Sequence, residues 1–126
     1  DPVRAAGLRG AAGHVAGLAE PANALGAALQ KVGAATKSAW ATGDPEEALA
    51  NATPYLQAFG HLVLAWIWLE VALAAQAAPA CRDDFRQGKR AAMRYFFAYE
   101  LPRIDAWLGV VARREPLVRE MRDAWF

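Results

Sequence analysis

Apolar residues recur along this chain at three- and four-residue intervals, the period of one helix face, and no stretch alternates apolar with polar residues over a strand's length. Asp1-Pro2 can cap and start a helix whose apolar stripe is sparse: Val3, Leu8, Val15 and Leu18. Gly7, Gly10, Gly13 and Gly17 weaken it, each costing up to ~1 kcal/mol against alanine in a helix interior. Glu20-Pro21 ends this helix and begins a second, in which Leu25, Leu29, Val32 and Trp40 lead to Thr42-Gly43. The clearest start follows, with Asp44 as N-cap, Pro45 at the first helical position, and Glu46 and Glu47 in the first turn. A helix from there runs to about Ala78, stopped by Pro79 and kinked at Pro54. Asp83 or Asp84 caps a last long helix reaching about Arg114, interrupted at Pro102. Glu115-Pro116 then restarts a short terminal helix ending at Trp125-Phe126.

These elements make the class all-α. Four main helices with short connections predict an antiparallel up-down four-helix bundle with a short extra C-terminal helix, forming one domain over residues 1–126. Composition agrees. The hydrophobic fraction is 56%, and much of it is alanine, which favours helices and lets them pack closely. The first residue is not methionine and no signal-peptide pattern follows it, so the expectation is a piece of a longer chain or a processed product.

Charge and candidate chemistry narrow the function more than they define it. The net charge is +1, and residues 1–79 and 80–126 carry −2 and +3 respectively, too mild for nucleic-acid binding by bulk electrostatics. Cys81 stands alone, which excludes an internal disulfide and suits a reducing cytoplasm. Leu56 to Ala78 is apolar enough to be weighed as a membrane span. Gln57, His61, Glu70 and Gln76 interrupt it and no basic flanks mark its ends, so a central buried bundle helix is the expectation. His14 and His61 lack the glutamates of a di-iron bundle, and with one cysteine they are too few for zinc. Ser38 and Cys81 carry no nucleophile signature, so no catalytic, cofactor or metal residue is expected.

One pattern does suggest a partner. Arg82, Arg86, Arg90 and Arg94 are spaced four apart, with Lys89 on the adjacent row, so they form one basic stripe on the last long helix. Its expected uses are a solvated face or an inter-domain seam. A sharper alternative is contact of Arg86, Lys89, Arg90 and Arg94 with the phosphates of coenzyme A. Tyr95, Phe96, Phe97 and Tyr99, with Trp66, Trp68 and Trp107, exceed what one core of this size requires; Trp125 and Phe126 are the expected docking aromatics.

The segment Asn51-Ala52-Thr53-Pro54-Tyr55-Leu56-Gln57-Ala58-Phe59-Gly60-His61, continued by Ala65-Trp66-Ile67-Trp68-Leu69, resembles the third-helix motif of the C-terminal extension of bacterial acyl-CoA dehydrogenases. Gly88-Lys89-Arg90-Ala91-Ala92-Met93-Arg94-Tyr95-Phe96-Phe97, followed by Glu100-Leu101-Pro102, is similar to the motif on that family's last long helix. The closing Met121-Arg122-Asp123-Ala124-Trp125-Phe126 is similar to the C-terminus of the same proteins, within the 3-methylmercaptopropionyl-CoA dehydrogenase-like subgroup. The likeness is strongest over residues 44–126, and the loop at Pro79–Arg82 is shorter than the family's. The resemblance implies a helical domain following an FAD-dependent body that carries both the glutamate base and the flavin. The chain alone is then inactive and has no cofactor of its own. Its implied partners are the upstream body, a second subunit in a homo-oligomer, or both, with neither nucleic acid nor a membrane span. The rival expectation is an independent helical scaffold or membrane-surface protein.

Overall fold

The computed structural model describes Gly7 and residues 10–126. Among the described residues the chain is all-helical, with no strand. Residues 10–13 are helical and give way to a turn at 14–18, where Gly17 takes a φ of +82°. The expected first helix therefore ends at residue 13, before Glu20-Pro21, and the turn that follows uses Gly17, whose left-handed backbone other residues rarely adopt. Its Val3 and Leu8 lie outside the described residues. Helix α1 (Ala19–Ala39) then carries Pro21 at its third position, among the first N–H groups that have no intrahelical acceptor, so the missing donor costs little.

Asp44 caps as expected: its Oδ1 accepts the Glu46 N–H at 2.9 Å, and Pro45 opens α2 (Pro45–Leu49). The long helix predicted from there is two helices. The chain breaks at Ala50-Asn51 and restarts as α3 (Ala52–Ala77). Pro54 consequently falls in the first turn of α3, where it kinks nothing. Asn51 is buried at the break, and its Nδ2 donates to the Glu115 carbonyl at 3.0 Å.

The last long helix is a composite rod: α4 (Asp83–Tyr95), a π turn (Phe96–Glu100), a 3₁₀ turn (Leu101–Arg103) and α5 (Ile104–Ala112). Its buried positions explain the irregularity. Met93, Phe96, Leu101, Ile104, Leu108 and Val111 step by three or four except between Phe96 and Leu101, where the step is five. The π turn absorbs the extra residue, and the Leu101 N–H reaches back five positions to the Phe96 carbonyl. Pro102, expected as a simple interruption, sits just after this widened turn. The terminal helix is also shorter than expected: α6 (Leu117–Glu120) and a 3₁₀ turn (Asp123–Trp125) share the segment.

Three contacts fix the relation of α1 and its leading turn to the rod. Arg90 donates to the Ala16 carbonyl, Lys31 to Asp105 at 2.7 Å, and Ser38 to the Ala112 carbonyl at 2.5 Å, all at a sequence separation of 74. A constant difference means that the two elements run parallel. Helix α3 runs antiparallel to the rod, since Arg86 meets Ala75 while Glu100 meets His61. Leu18, Leu69, Met93 and Ile104 are fully enclosed where these rods meet, and Ala58, Ala65, Ala22 and Ala28 allow close approach. The fourth rod of the expected bundle would come from the first eighteen residues, some of which lie outside the described ones.

A polar clasp ties the lower ends together. Helix α5 closes with paired bonds, Glu115 N–H to the Val110 carbonyl at 3.3 Å and Arg114 N–H to the Val111 carbonyl at 3.0 Å. Arg114 occupies the left-handed position (φ +52°) usually given to glycine. Its guanidinium meets Glu47 Oε1 at 3.0 Å and the Ser38 carbonyl at 3.0 Å. The Glu47 carboxyl is held below its ordinary range, first by the hydrogen bond from the Thr42 hydroxyl. Desolvation works against this shift, and Arg114 reinforces it.

Candidate functional site

The basic stripe of α4 is largely committed to the fold. Arg86 donates to the Ala75 carbonyl at 3.1 Å and the Ala78 carbonyl at 2.7 Å, closing the C-terminal end of α3, and pairs with Asp83 at 3.0 Å. Arg90 holds the Ala16 carbonyl beside Gly17. Lys89 lies 5.0 Å from the ring centroid of Phe85. Arg82 and Arg94 are exposed. Arg90 and Arg94 share a groove of about 550 Å³ with Gly17 and Glu20, whose carboxylate works against a phosphate in the same place. The arrangement does not fit a flavin or dinucleotide, since two of the four arginines already serve backbone carbonyls and the groove carries an acidic wall.

Where α3 crosses the π turn, His61 is half-buried. Its Nε2 lies 3.6 Å from Glu100 Oε2, its Nδ1 lies 3.0 Å from the Gln57 carbonyl, and its ring meets Trp107 edge-on at 4.7 Å and Phe96 at 5.8 Å. Arg103 reaches the same Glu100 oxygen at 3.3 Å. His61 thus joins α3 to the rod, and spacing in the sequence alone did not reveal Glu100 as its partner. Among the described residues no group of His, Cys, Asp and Glu could hold a metal ion. Cys81 is free and half-buried.

The least satisfied surface is on α3. The helix was expected to be buried all round, yet only a third of its most apolar stretch is. Ala58, Leu62, Ala65, Leu69 and Ala72 face the core. On the opposite side Leu56, Phe59, Leu64 and Ile67 remain 68, 44, 45 and 47% exposed. By length and composition α3 could cross a membrane, a test that a core helix of a soluble protein also passes. Trp125 and Phe126 are also exposed, Phe126 at 96%. Tyr95 and Tyr99 stack at 4.8 Å on the outer side of the rod. Phe96 is buried, and Trp66, Trp68, Phe97 and Trp107 pack against the core. Exposed apolar residues thus stand on α3, where sequence reasoning had placed only core, and also at Leu29, Trp40, Leu49, Phe85 and along the C-terminal segment from Leu117 to Phe126.

A family model described as acetyl-CoA dehydrogenase C-terminal like matches residues 4–122, nearly the whole chain. No curated protein matches the sequence, and no solved structure does.

Proposed function

Because the chain belongs to the acetyl-CoA dehydrogenase C-terminal-like family, we propose that it is a docking and assembly domain of an acyl-CoA dehydrogenase. The observation that carries this reading is the outer face of α3. The chain's own core covers one side of this helix, and the apolar residues left open on the other offer surface that a partner can bury. In this reading the α,β-dehydrogenation of an acyl-CoA, in fatty acid metabolism, belongs to the parent enzyme, whose FAD and base lie in the upstream body. The four-helix arrangement, completed by the N-terminal segment, and a cytoplasmic location belong to the same reading. The narrower likeness to 3-methylmercaptopropionyl-CoA dehydrogenases rests on the motifs at 51–69, 88–102 and 121–126.

The direct test is to purify the chain and assay acyl-CoA oxidation with an artificial electron acceptor and added FAD. The expected result is neither turnover nor retained flavin; a stoichiometric flavin or measurable turnover overturns the reading. With Arg86 and Arg90 engaged internally, contact with coenzyme A phosphates narrows to Lys89 and Arg94. In the full-length enzyme the docking reading expects Lys89→Ala with Arg94→Ala to leave the substrate KM unchanged. Flotation with liposomes separates the rival membrane-surface reading, since a docking domain stays in the aqueous fraction.

A further inference from the structure

We propose that the seam between α1 and the rod is a docking groove for an extended polypeptide segment that presents an acidic side chain to Arg94 and a neighbouring basic side chain to Glu20. The two elements run parallel with a constant offset, so Glu20 stands level with Arg94, Ala24 with Ala98, and Ala28 with Pro102. At each end of this stretch the seam is closed. Arg90 reaches across to the Ala16 carbonyl, its guanidinium 2.7 Å from the place a Gly17 Cβ would take, and Lys31 holds Asp105 at 2.7 Å. Between these closures the seam is open. Three hollows of about 550, 310 and 240 Å³ follow one another along it; the first two share Glu20 and Arg94, and the last two share Ala24 and Phe97. No residue of α3 lines them, so this groove is separate from the outer face of that helix.

Glu20 and Arg94 decide what can lie there. They border the same hollows from opposite walls, both are exposed, and among the described residues neither makes an ion pair or a hydrogen bond. A phosphate suits Arg94 and is repelled by Glu20, while an ammonium group does the reverse. An occupant that serves both carries a negative and a positive group at one level, one toward each wall. Successive side chains of an extended chain point to opposite sides, so an acid next to a base meets both walls at once. The next residue on the acid's side lies ~6.6 Å further along, a little more than one turn of the rod, which sets an apolar side chain over the half-buried Phe97. From Glu20 to Lys31, α1 rises ~16 Å, the length of about five extended residues. A helix, ~10–12 Å across, would bridge the walls instead of entering hollows of this volume.

The test uses the 126-residue chain, immobilised, to select from random hexapeptides displayed on phage. Enriched sequences are then synthesised and their affinity is measured by fluorescence anisotropy. The expected enrichment is an acid beside a base, with an apolar residue beyond the base, binding with a Kd between ~1 μM and ~1 mM. Arg94→Ala and Glu20→Ala should each weaken binding about three- to fivefold, the worth of a solvent-accessible ion pair. Glu20→Arg combined with Arg94→Glu should instead select peptides with acid and base transposed, a switch that general electrostatic attraction does not produce. Ala98→Trp, at an exposed position of the rod, should fill the middle hollow and abolish binding with helicity unchanged. The proposal is overturned if no enriched peptide binds below ~1 mM, if the enriched sequences lack the charged pair, or if binding survives Ala98→Trp. Displacement of the peptide by inorganic phosphate, beyond the effect of sodium chloride at equal ionic strength, would make the groove an anion site and overturn it as well. Each of these outcomes leaves the docking reading, which rests on α3, to its own test.

Discussion

The two faces of α3 differ in a way that neither hydropathy nor helix period reveals. The inner face is mostly alanine with two leucines, Leu62 and Leu69, and it is closed by α1 and the rod. The outer face carries Leu56, Phe59, Leu64 and Ile67, residues with more apolar surface than the alanines they oppose, and it is open. Alanine contributes little transfer free energy, so the inner face is stabilised by close packing of backbones and by a few large residues that fill the gaps. Size on the outer face has no such role within the chain. The comparison teaches that, within α3, small residues lie where the chain's own helices approach and larger apolar residues lie where they do not.

The contrast can be broken most directly by truncation. Leu69→Ala should cost ~2–5 kcal/mol in chemical denaturation, since Leu69 is fully enclosed, whereas Leu64→Ala should cost less than ~1 kcal/mol. Equal costs would mean that the faces are not distinct. Enlargement sharpens the same point: Ala65→Leu should lose ~1–3 kcal/mol by overpacking, while Ala74→Leu, on the open side, should be close to neutral. A smaller effect of opposite sign is expected at Gly60, where an added Cβ meets nothing; Gly60→Ala should raise the stability of the monomer by ~0.5–1 kcal/mol. The smallest effect separates both apolar faces from the polar clasp. Glu47 has a lowered pKa when folded, so its contribution is present above its ordinary value of 4.5 and is lost as pH falls through the lower folded value. Glu47→Gln should therefore flatten the acid side of the stability profile, and Leu64→Ala should leave its shape unchanged.

Local chemistry was legible in part: the Asp44 cap holds, whereas Asp83 and Asp84, expected as caps, lie in the first turn of α4, whose N-cap is Arg82 with no side-chain hydrogen bond. Asp44-Pro45 starts α2 and Pro79 follows the end of α3, because capping and ring geometry are short-range effects. Pro54 was misread for the same reason in reverse: its effect depends on where the helix begins, and Asn51, fixed by a carbonyl 64 residues away, decides that. The π turn left no trace in the pattern, since Met93, Phe97 and Leu101 are four apart and only the burial of Phe96 opens a five-residue step. Of the arginine stripe, Arg86, Arg90 and Arg94 do share one helix, while Arg82 stands before it in extended backbone. The stripe's targets, the carbonyls of Ala75, Ala78 and Ala16, are set by tertiary packing and have no trace in spacing. The open side of α3 was not legible either, since an apolar residue reads alike whether its own fold or another surface covers it.

The extra residue in the π turn and the proline behind it form a reciprocal pair. In a regular helix the Pro102 ring would strike the carbonyl of Ala98, and the widened turn relieves that clash while carrying the apolar line from Phe96 to Leu101. Deleting Ala98 would straighten the backbone and keep both ends in phase, but it would leave a proline that the straight helix cannot house. Replacing Pro102 alone would leave a surplus residue with nothing to accommodate. Made together, the two edits should largely cancel, so the length of this rod and the identity of one residue in it are a single inherited choice.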